Sequence, residues 1–503
     1  MLGVDGQFDV VIVGAGINGA TVCHALTSGG YRVLLVDQGD FGGGTSQAST
    51  MLIWGGLLYL KNLELATVLA LTRDRDRLVA ERPGSVQARP LLYVHSGGPP
   101  RVVVESALAA YWVMGAGKRA RPQRLDRYAE QAHLAAAGPA YAIEEAALVT
   151  SDARFVLEWV LAAERLGADV RNHVRVDAID AGGSAAGWRL QLCDTLTGSV
   201  TDVQARMVVN AAGCWTDAVN DKAGLTSPWR HVFSRGVSLA FPRPAWHTRH
   251  LVLDSLEGEV MTLAPWGPVS LWGSTDTLHD DLAEARRPAD ADVARLLREL
   301  NRHLRVPVDR SDVVSLRTGV RPVPVRHDAR APRTPASLTR HHRLHLDATR
   351  PWVSIYGGKL SGCLGLAADV CELVAQRVSP RGAAPGPHPP RDEAPQVTTT
   401  FPTLEAPVVS AAWAAAHEHC TSLDDYLRRR TNIAQWVPCG GFGVHGAHAD
   451  TLERIALEIH DGDTGLAERD LRAYWHQVCE TDAVLAQARQ PDTPADTIGW
   501  RWS

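Results

Sequence analysis

The run Val13-Gly14-Ala15-Gly16-Ile17-Asn18-Gly19 restricts what this chain can fold into more than any other stretch of it. Phe8 to Val13, just ahead, is apolar and rich in β-branched residues, as a buried strand is. Ala20 to Ser28 has helical apolar spacing and stops at Gly29-Gly30, and Arg32 to Val36 reads as a second strand closed by Asp37. A G-x-G-x-x-G between strand and helix, with an acidic residue 23 positions after Gly14 at the end of the next strand, is what a dinucleotide site requires. Gly14 permits the tight turn, Gly16 lets backbone approach a pyrophosphate, and Gly19 lets helix and strand pack closely. The helix N-terminus faces the phosphate charge, and Asp37 accepts hydrogen bonds from the ribose hydroxyls.

The fingerprint alone does not separate NAD from FAD. Asp37 is followed by Gln38-Gly39-Asp40-Phe41-Gly42-Gly43-Gly44-Thr45-Ser46-Gln47-Ala48-Ser49-Thr50, a second loop rich in glycine and hydroxyls. Such a loop wraps the far half of an extended cofactor, with Thr45 and Ser46 at the second phosphate and Ser49 and Thr50 near a flavin ring. No second G-x-G-x-x-G offers a separate nicotinamide site, so the expected cofactor is FAD.

The 503 residues give ample chain for two to four domains. Hydrophobic content of 45%, charged content of 21% and a net charge of -5 are those of a globular protein with no general nucleic-acid-binding surface. Eight scattered cysteines with no C-x-x-C pair argue against a disulfide framework or zinc site, and no metal is expected; a reducing cytoplasm fits best. The N-terminus carries Asp5 and runs into a strand, unlike a secretory signal. No apolar run approaches the roughly 20 residues of a membrane-spanning helix. Ser106 to Gly117, followed by a basic stretch, reads as a core helix with a solvated end; peripheral contact with the inner membrane face is the alternative. Of 51 Lys+Arg, only Lys61, Lys118, Lys222 and Lys359 are lysine, an excess of arginine that high-GC codon usage accounts for. An amine, unlike a guanidinium, can lose its proton when buried, so a surviving lysine carries meaning.

Further along, Asp152 to Leu166 reads as a helix and Val203 to Val209 as a strand. Ala291 to Leu304 reads as an amphipathic helix capped by Asp290. Val353 to Tyr356 is a strand leading into Gly357-Gly358, and Leu364 to Arg377 a helix. Residues 379–396 contain six prolines and read as a linker, with mostly helical pattern at 409–432 and 450–491.

Together these residues resemble the FAD-dependent glycerol-3-phosphate dehydrogenases, within the larger D-amino-acid-oxidase-like superfamily. The matching runs are Val13 to Ala20, Thr45-Ser46, Gly55-Gly56-Leu57 with Tyr59-Leu60, Asp152-Ala153-Arg154, Asn210-Ala211-Ala212-Gly213 with Trp215, Gly273-Ser274-Thr275-Asp276, Gly319-Val320-Arg321-Pro322 and Gly357-Gly358-Lys359-Leu360. Ser422 to Thr431 resembles the start of the family's C-terminal helical domain.

The resemblance implies an α/β fold: a Rossmann-like FAD-binding domain, a mixed-sheet α+β substrate domain and a C-terminal helical domain. The expected boundaries are 1–95, 150–232 and 312–378 for the discontinuous FAD domain, 96–149 and 233–311 for the substrate domain, and 397–503 for the helical domain. The cofactor residues so implied are Gly14, Gly16, Ile17, Asn18, Gly19, Asp37, Gln38, Thr45, Ser46, Ser49, Met51, Leu52, Val174, Ala211, Gly213, Trp215, Arg321, Gly358, Lys359, Leu360 and Ser361. Hydride passes from a carbon bearing oxygen to flavin N5, and electrons go on to quinone or oxygen. Arg321 binds substrate beside the flavin, Arg340 binds phosphate and Lys359 lies at the substrate oxygen. A homodimer is a further expectation.

Departures from the family pattern gather in the substrate site. Where the family has Lys, His and Arg, this chain has Met51, Trp54 and Leu58; a second His is replaced at Ser238, and a Tyr at Arg317. Tyr59 is kept. Trp54, Leu58, Tyr59, Arg317, Ser238 and Arg340 are thus the candidate substrate-binding residues. Both family histidines are gone, so Lys359 is the leading proton acceptor, with Arg321 stabilising developing alkoxide charge. His341 and His342 are nearby alternatives. The expected function is oxidation of a C–OH group in a substrate larger or less charged than glycerol 3-phosphate. The alternatives are a true glycerol-3-phosphate dehydrogenase or oxidase, an FAD-dependent amine oxidase, and a flavin-binding partner or sensor.

Overall fold

The computed structural model describes residues 6–95, 99–126, 128, 133–135, 138–181, 187–256, 260–329, 341–383 and 397–486. The strand–glycine–helix unit forms where the spacing requires it. β1 (Gln7–Val13) is buried beyond its first residue, α1 (Ile17–Ser28) follows Gly16, and β2 (Val33–Val36) runs parallel to β1. Gly14 has φ 103°, and a Cβ there would stand 2.6 Å from Ala211 O; a Cβ on Gly19 would stand 1.8 Å from Gly14 O. Only glycine lets turn, helix and neighbouring strand approach so closely.

Among the described residues the first sheet has eight strands. Its parallel centre runs Trp352–Tyr356, Val200–Asn210, β1, β2 and Asp169–Arg171, with Arg343–Leu346 antiparallel at one edge. The hairpin of Val174–Ala181 and Trp188–Asp194 extends from Val200–Asn210. α1 and the helices Asp152–Arg165 and Cys363–Ala375 share one buried apolar cluster with the sheet. The carboxyl ends of the parallel strands all leave on one side, into Gly14, Asp37, Ala211 and Gly357, where ligands of such sheets bind.

The second sheet has ten strands among the described residues. Trp229–Pro242 pairs along its length with Ser315–Arg326, from Trp229 opposite Arg326 to Ala240 opposite Ser315. Helix Asp290–Asn301 covers one face through Val293, Leu296 and Leu300. It begins one residue earlier than its pattern predicts, and Asp292, not Asp290, bonds its first turn, accepting the Ala289 N–H at 3.0 Å.

Leu52–Ile53, Val86–Val94 and Ser315–Arg326 fall in segments expected for the cofactor domain, yet all three are strands of the second sheet. A local pattern identifies a strand but not its partner, which distant register decides. Helix Arg101–Met114 buries Val104, Leu108 and Tyr111 and exposes Val102, Val103 and Val113. Among the described residues no helix is long and apolar enough to cross a membrane. Ala411–His417, Ala449–Ile459 and Thr464–Ala486 form a helical unit with its own core, including Tyr426, Phe442, Leu452 and Tyr474.

Candidate active site

The adenosine end is built around Asp37. Its Oδ2 accepts the Ala15 N–H at 2.7 Å and its Oδ1 the Gly39 N–H at 3.0 Å, while Val174 N donates to Asp37 O at 2.7 Å. Burial pushes the Asp37 carboxyl up to about 6, against the pull of those two N–H donors. Ser46 Oγ accepts the Ile17 N–H at 3.0 Å, so the second loop is tied to the first turn of α1. Thr45 donates to Val320 O at 2.5 Å. Asn18 Nδ2 donates to Gly357 O at 2.9 Å, and its buried Oδ1 has no hydrogen-bond partner among the described residues. Gly213, at φ 56°, faces open space, and Trp215 lies beside Gly44. The Gln38 side chain is exposed.

These features fit FAD. Among the described residues the half-buried Asp37 carboxylate has only N–H donors, which ribose hydroxyls would supplement. Asn18 Oδ1 awaits a donor, and the glycine turns leave a cradle that side chains would fill.

Thr45, Ser234, Asp276, Arg321, Gly358 and Lys359 line a cleft of about 80 Å³ where the two sheets meet. Arg321 stands opposite Ser234 in strand register, which puts both on the cleft face. Its Nη2 donates to Ser274 Oγ at 2.6 Å and its Nη1 to Ser234 Oγ at 3.3 Å, with Asp276 Oδ1 3.5 Å away. Ser234 in turn donates to Asp276. A Cβ on Gly236 would come within 2.9 Å of Arg321 Nη2, so the missing side chain is what admits the guanidinium. Lys359 Nζ donates to Tyr59 Oη at 2.5 Å and sits 4.1 Å from the centre of that ring. His231, buried and pushed down to about 3, is neutral; its Nε2 accepts the Gly357 N–H at 3.2 Å and steadies the turn that carries Lys359.

Several expected site residues sit elsewhere. Arg317 is engaged by the protein itself: it pairs with buried Asp152 at 2.9 Å, donates to Ser49 O at 3.1 Å and to Gln47 O, and lies over Trp266. A carboxylate 165 residues earlier in the chain claims it. Met51 is 3% exposed and packs in the core of the cofactor unit, so only its backbone lies on the cofactor loop. Leu52 and Trp54 share the opposite face, with Leu91, Ala147, Val252 and Val260. Ser238 is buried opposite Gly273 and Arg317. Ser49 Oγ accepts the Met51 N–H at 3.1 Å. Leu360 and Ser361 form the turn after Lys359, and Ala211 N donates to Val13 O at 2.9 Å. His341 contacts Glu64 at 2.7 Å and His342 contacts Asp369 at 3.3 Å. Arg340 and the Leu58 side chain lie outside the described residues. Sequence reasoning missed Ser234, Ser274 and Asp276 as partners of Arg321, although the last two stand in the quoted Gly273 to Asp276 run.

A Rossmann-like cofactor unit facing a large mixed sheet, with a cationic cleft between them, defines a two-sheet flavoprotein oxidoreductase. Residues 9–352 match the family described as FAD dependent oxidoreductase (DAO), and the chain belongs to that family, with FAD as its cofactor. It is 27% identical to glycerol-3-phosphate dehydrogenase 2 of Mycobacterium tuberculosis, over 98% of this chain and 91% of that one. It is 29% identical to the aerobic glycerol-3-phosphate dehydrogenase of Staphylococcus haemolyticus, over 74% and 68%. Among solved structures, glycerol-3-phosphate dehydrogenase from Bacillus halodurans complexed with FAD superposes with a TM-score of 0.67 at 18% identity, covering 94% of this chain and 95% of that one.

Proposed function

We propose that the protein oxidises a C–OH group of a small substrate and that this substrate is larger or less charged than glycerol 3-phosphate. The carrying observation is the loss of charged and basic groups from the family pattern: Met51, Trp54 and Leu58 stand where the glycerol-3-phosphate dehydrogenases have Lys, His and Arg. A dianionic phosphate ester is poorly matched to a site that lacks two of the family's cations and a histidine.

FAD, when bound, supplies the hydride-accepting atom, flavin N5. The chain supplies position and proton handling. Ser234 and Ser274 orient Arg321 so that its guanidinium meets the developing alkoxide without reorganising. Lys359 Nζ, when neutral, takes the hydroxyl proton, and Tyr59 Oη fixes where that nitrogen stands. Electrons then leave to quinone or oxygen.

Glycerol 3-phosphate itself is the second reading, favoured by the names of relatives matching most of the chain. Anaerobic incubation with candidate alcohols and amines, followed by product analysis, tests the proposal. A carbonyl product without released ammonia or amine supports it; turnover confined to amines overturns it.

A further inference from the structure

The loop that must close around FAD contains Gly39, Gly42, Gly43 and Gly44, so its backbone is costly to order. Asp40 lies in it, three residues beyond the ribose carboxylate and five before Thr45, and is 4% exposed. Two arginines of the C-terminal helical unit hold its carboxylate: Arg429 Nε at 2.5 Å, and Arg430 Nη1 and Nη2 at 2.6 and 2.8 Å. Asn172 adds a bond at 2.9 Å. Arg429 Nη1 also reaches Gln47 Oε1 at 3.2 Å, at the far end of the same loop. Arg429 is anchored in its own unit by Asp424 at 2.6 Å and Asp425 at 2.9 Å, and Arg430 by Glu418 O at 2.9 Å. His173 closes the cluster: its N–H donates to Gly39 O at 2.8 Å and its Nε2 meets Asp425 at 3.1 Å. Acceptor atoms of Asp40, His173 and Asp425 lie within 4.8 Å of one another, a spacing that could hold a cation, but the guanidinium groups fill that role.

We propose that Asp40, Arg429 and Arg430 are positioning residues for the cofactor, through which the C-terminal helical unit pre-forms the FAD loop. FAD binding and docking of that unit are then one coupled equilibrium. A loop held at both ends before the ligand arrives spares the ligand the ordering cost. By reciprocity, FAD must tighten the docking by the same factor that docking tightens FAD. The inference depends on FAD binding alone and is independent of which substrate is oxidised.

Hydrogen exchange of the full-length chain, with and without FAD, tests it. In the wild type, FAD slows exchange of peptides spanning residues 418–432 by about fivefold or more, the lower range of measured couplings. Peptides of the Ala449–Ile459 and Thr464–Ala486 helices change far less. In Asp40→Asn, the FAD-dependent slowing at 418–432 falls below about twofold, and the FAD dissociation constant, read by flavin fluorescence, rises by the factor lost. If Asp40→Asn does not fold, Arg429→Lys carries the same test, because an ammonium keeps the charge but cannot bridge Asp40 and Gln47 together. Exchange at 418–432 that ignores FAD in the wild type overturns the proposal. So does FAD-dependent slowing that persists undiminished in the folded variant, since a merely structural contact would loosen the unit without changing its response to FAD.

Discussion

Replacing Arg317 with methionine should destabilise the cofactor unit and leave substrate recognition nearly intact. The Arg317 and Asp152 side chains are 3% and 1% exposed and meet at 2.9 Å. Without the guanidinium, Asp152 keeps, among the described residues, the backbone donors Ser49 N, at 2.6 Å, and Ala153 N, at 2.9 Å, while Ser49 O and Gln47 O lose a donor. Removing one partner of a buried pair costs about 3–5 kcal/mol. For a domain of about 150–250 residues, each kcal/mol moves the unfolding midpoint by about 2–4 °C, so a fall of about 6–20 °C is expected. Thermal release of flavin, followed by its fluorescence, reads that midpoint. At a temperature where both proteins are folded, the substrate KM should agree within about twofold, as expected for a residue making no substrate contact. Arg317→Lys should fall between, since an ammonium cannot span a carboxylate and two carbonyls together. A midpoint shift under about 3 °C with a KM raised about tenfold would refute this reasoning and return Arg317 to the substrate.

Three further outcomes are expected. Asp276→Asn removes the carboxylate facing Arg321, so inorganic phosphate, titrated against the flavin absorbance, should bind about tenfold tighter than to the wild type; unchanged or weaker binding contradicts the charge argument. Asp37, raised to about 6 by burial, must ionise to accept ribose hydroxyls. A carboxyl raised in the cofactor-free fold stabilises that fold below its unfolded value and loses this as pH rises through about 6, whereas FAD selects the ionised form. FAD affinity should therefore be flat above about pH 7 and weaken as pH falls below about 6; Asp37→Asn should bind weakly with no such step, and a step surviving that change assigns it elsewhere. Lys359→Met should retain flavin but be reduced by the true substrate about 10²–10⁴ times more slowly; reduction at the wild-type rate removes Lys359 from proton transfer.

The cofactor half of the site was legible because its determinants are local. Gly14, Gly19 and Asp37 act through turns and strand ends within about thirty residues of sequence. The substrate half depends on contacts between distant segments. Arg317 stands where the family pattern has a site tyrosine, but Asp152 captures it from 165 positions away. Asp40 reads as an ordinary loop acid until Arg430 meets it across 390 positions. Strands Leu52–Ile53 and Val86–Val94 carry an apolar pattern that suits either sheet, and only the completed pairing assigns them. Asp276 ends a recognisable motif, but its effect on Arg321 depends on a cross-sheet geometry that spacing does not encode.

The most direct test of the account is the rate at which glycerol 3-phosphate reduces the bound flavin in anaerobic stopped flow, against less charged or larger alcohols at equal concentration. The account predicts bleaching of the flavin band by at least one such alcohol, with glycerol 3-phosphate slower by about a hundredfold or more. Rapid, saturable bleaching by glycerol 3-phosphate, unmatched by any of the others, would contradict it.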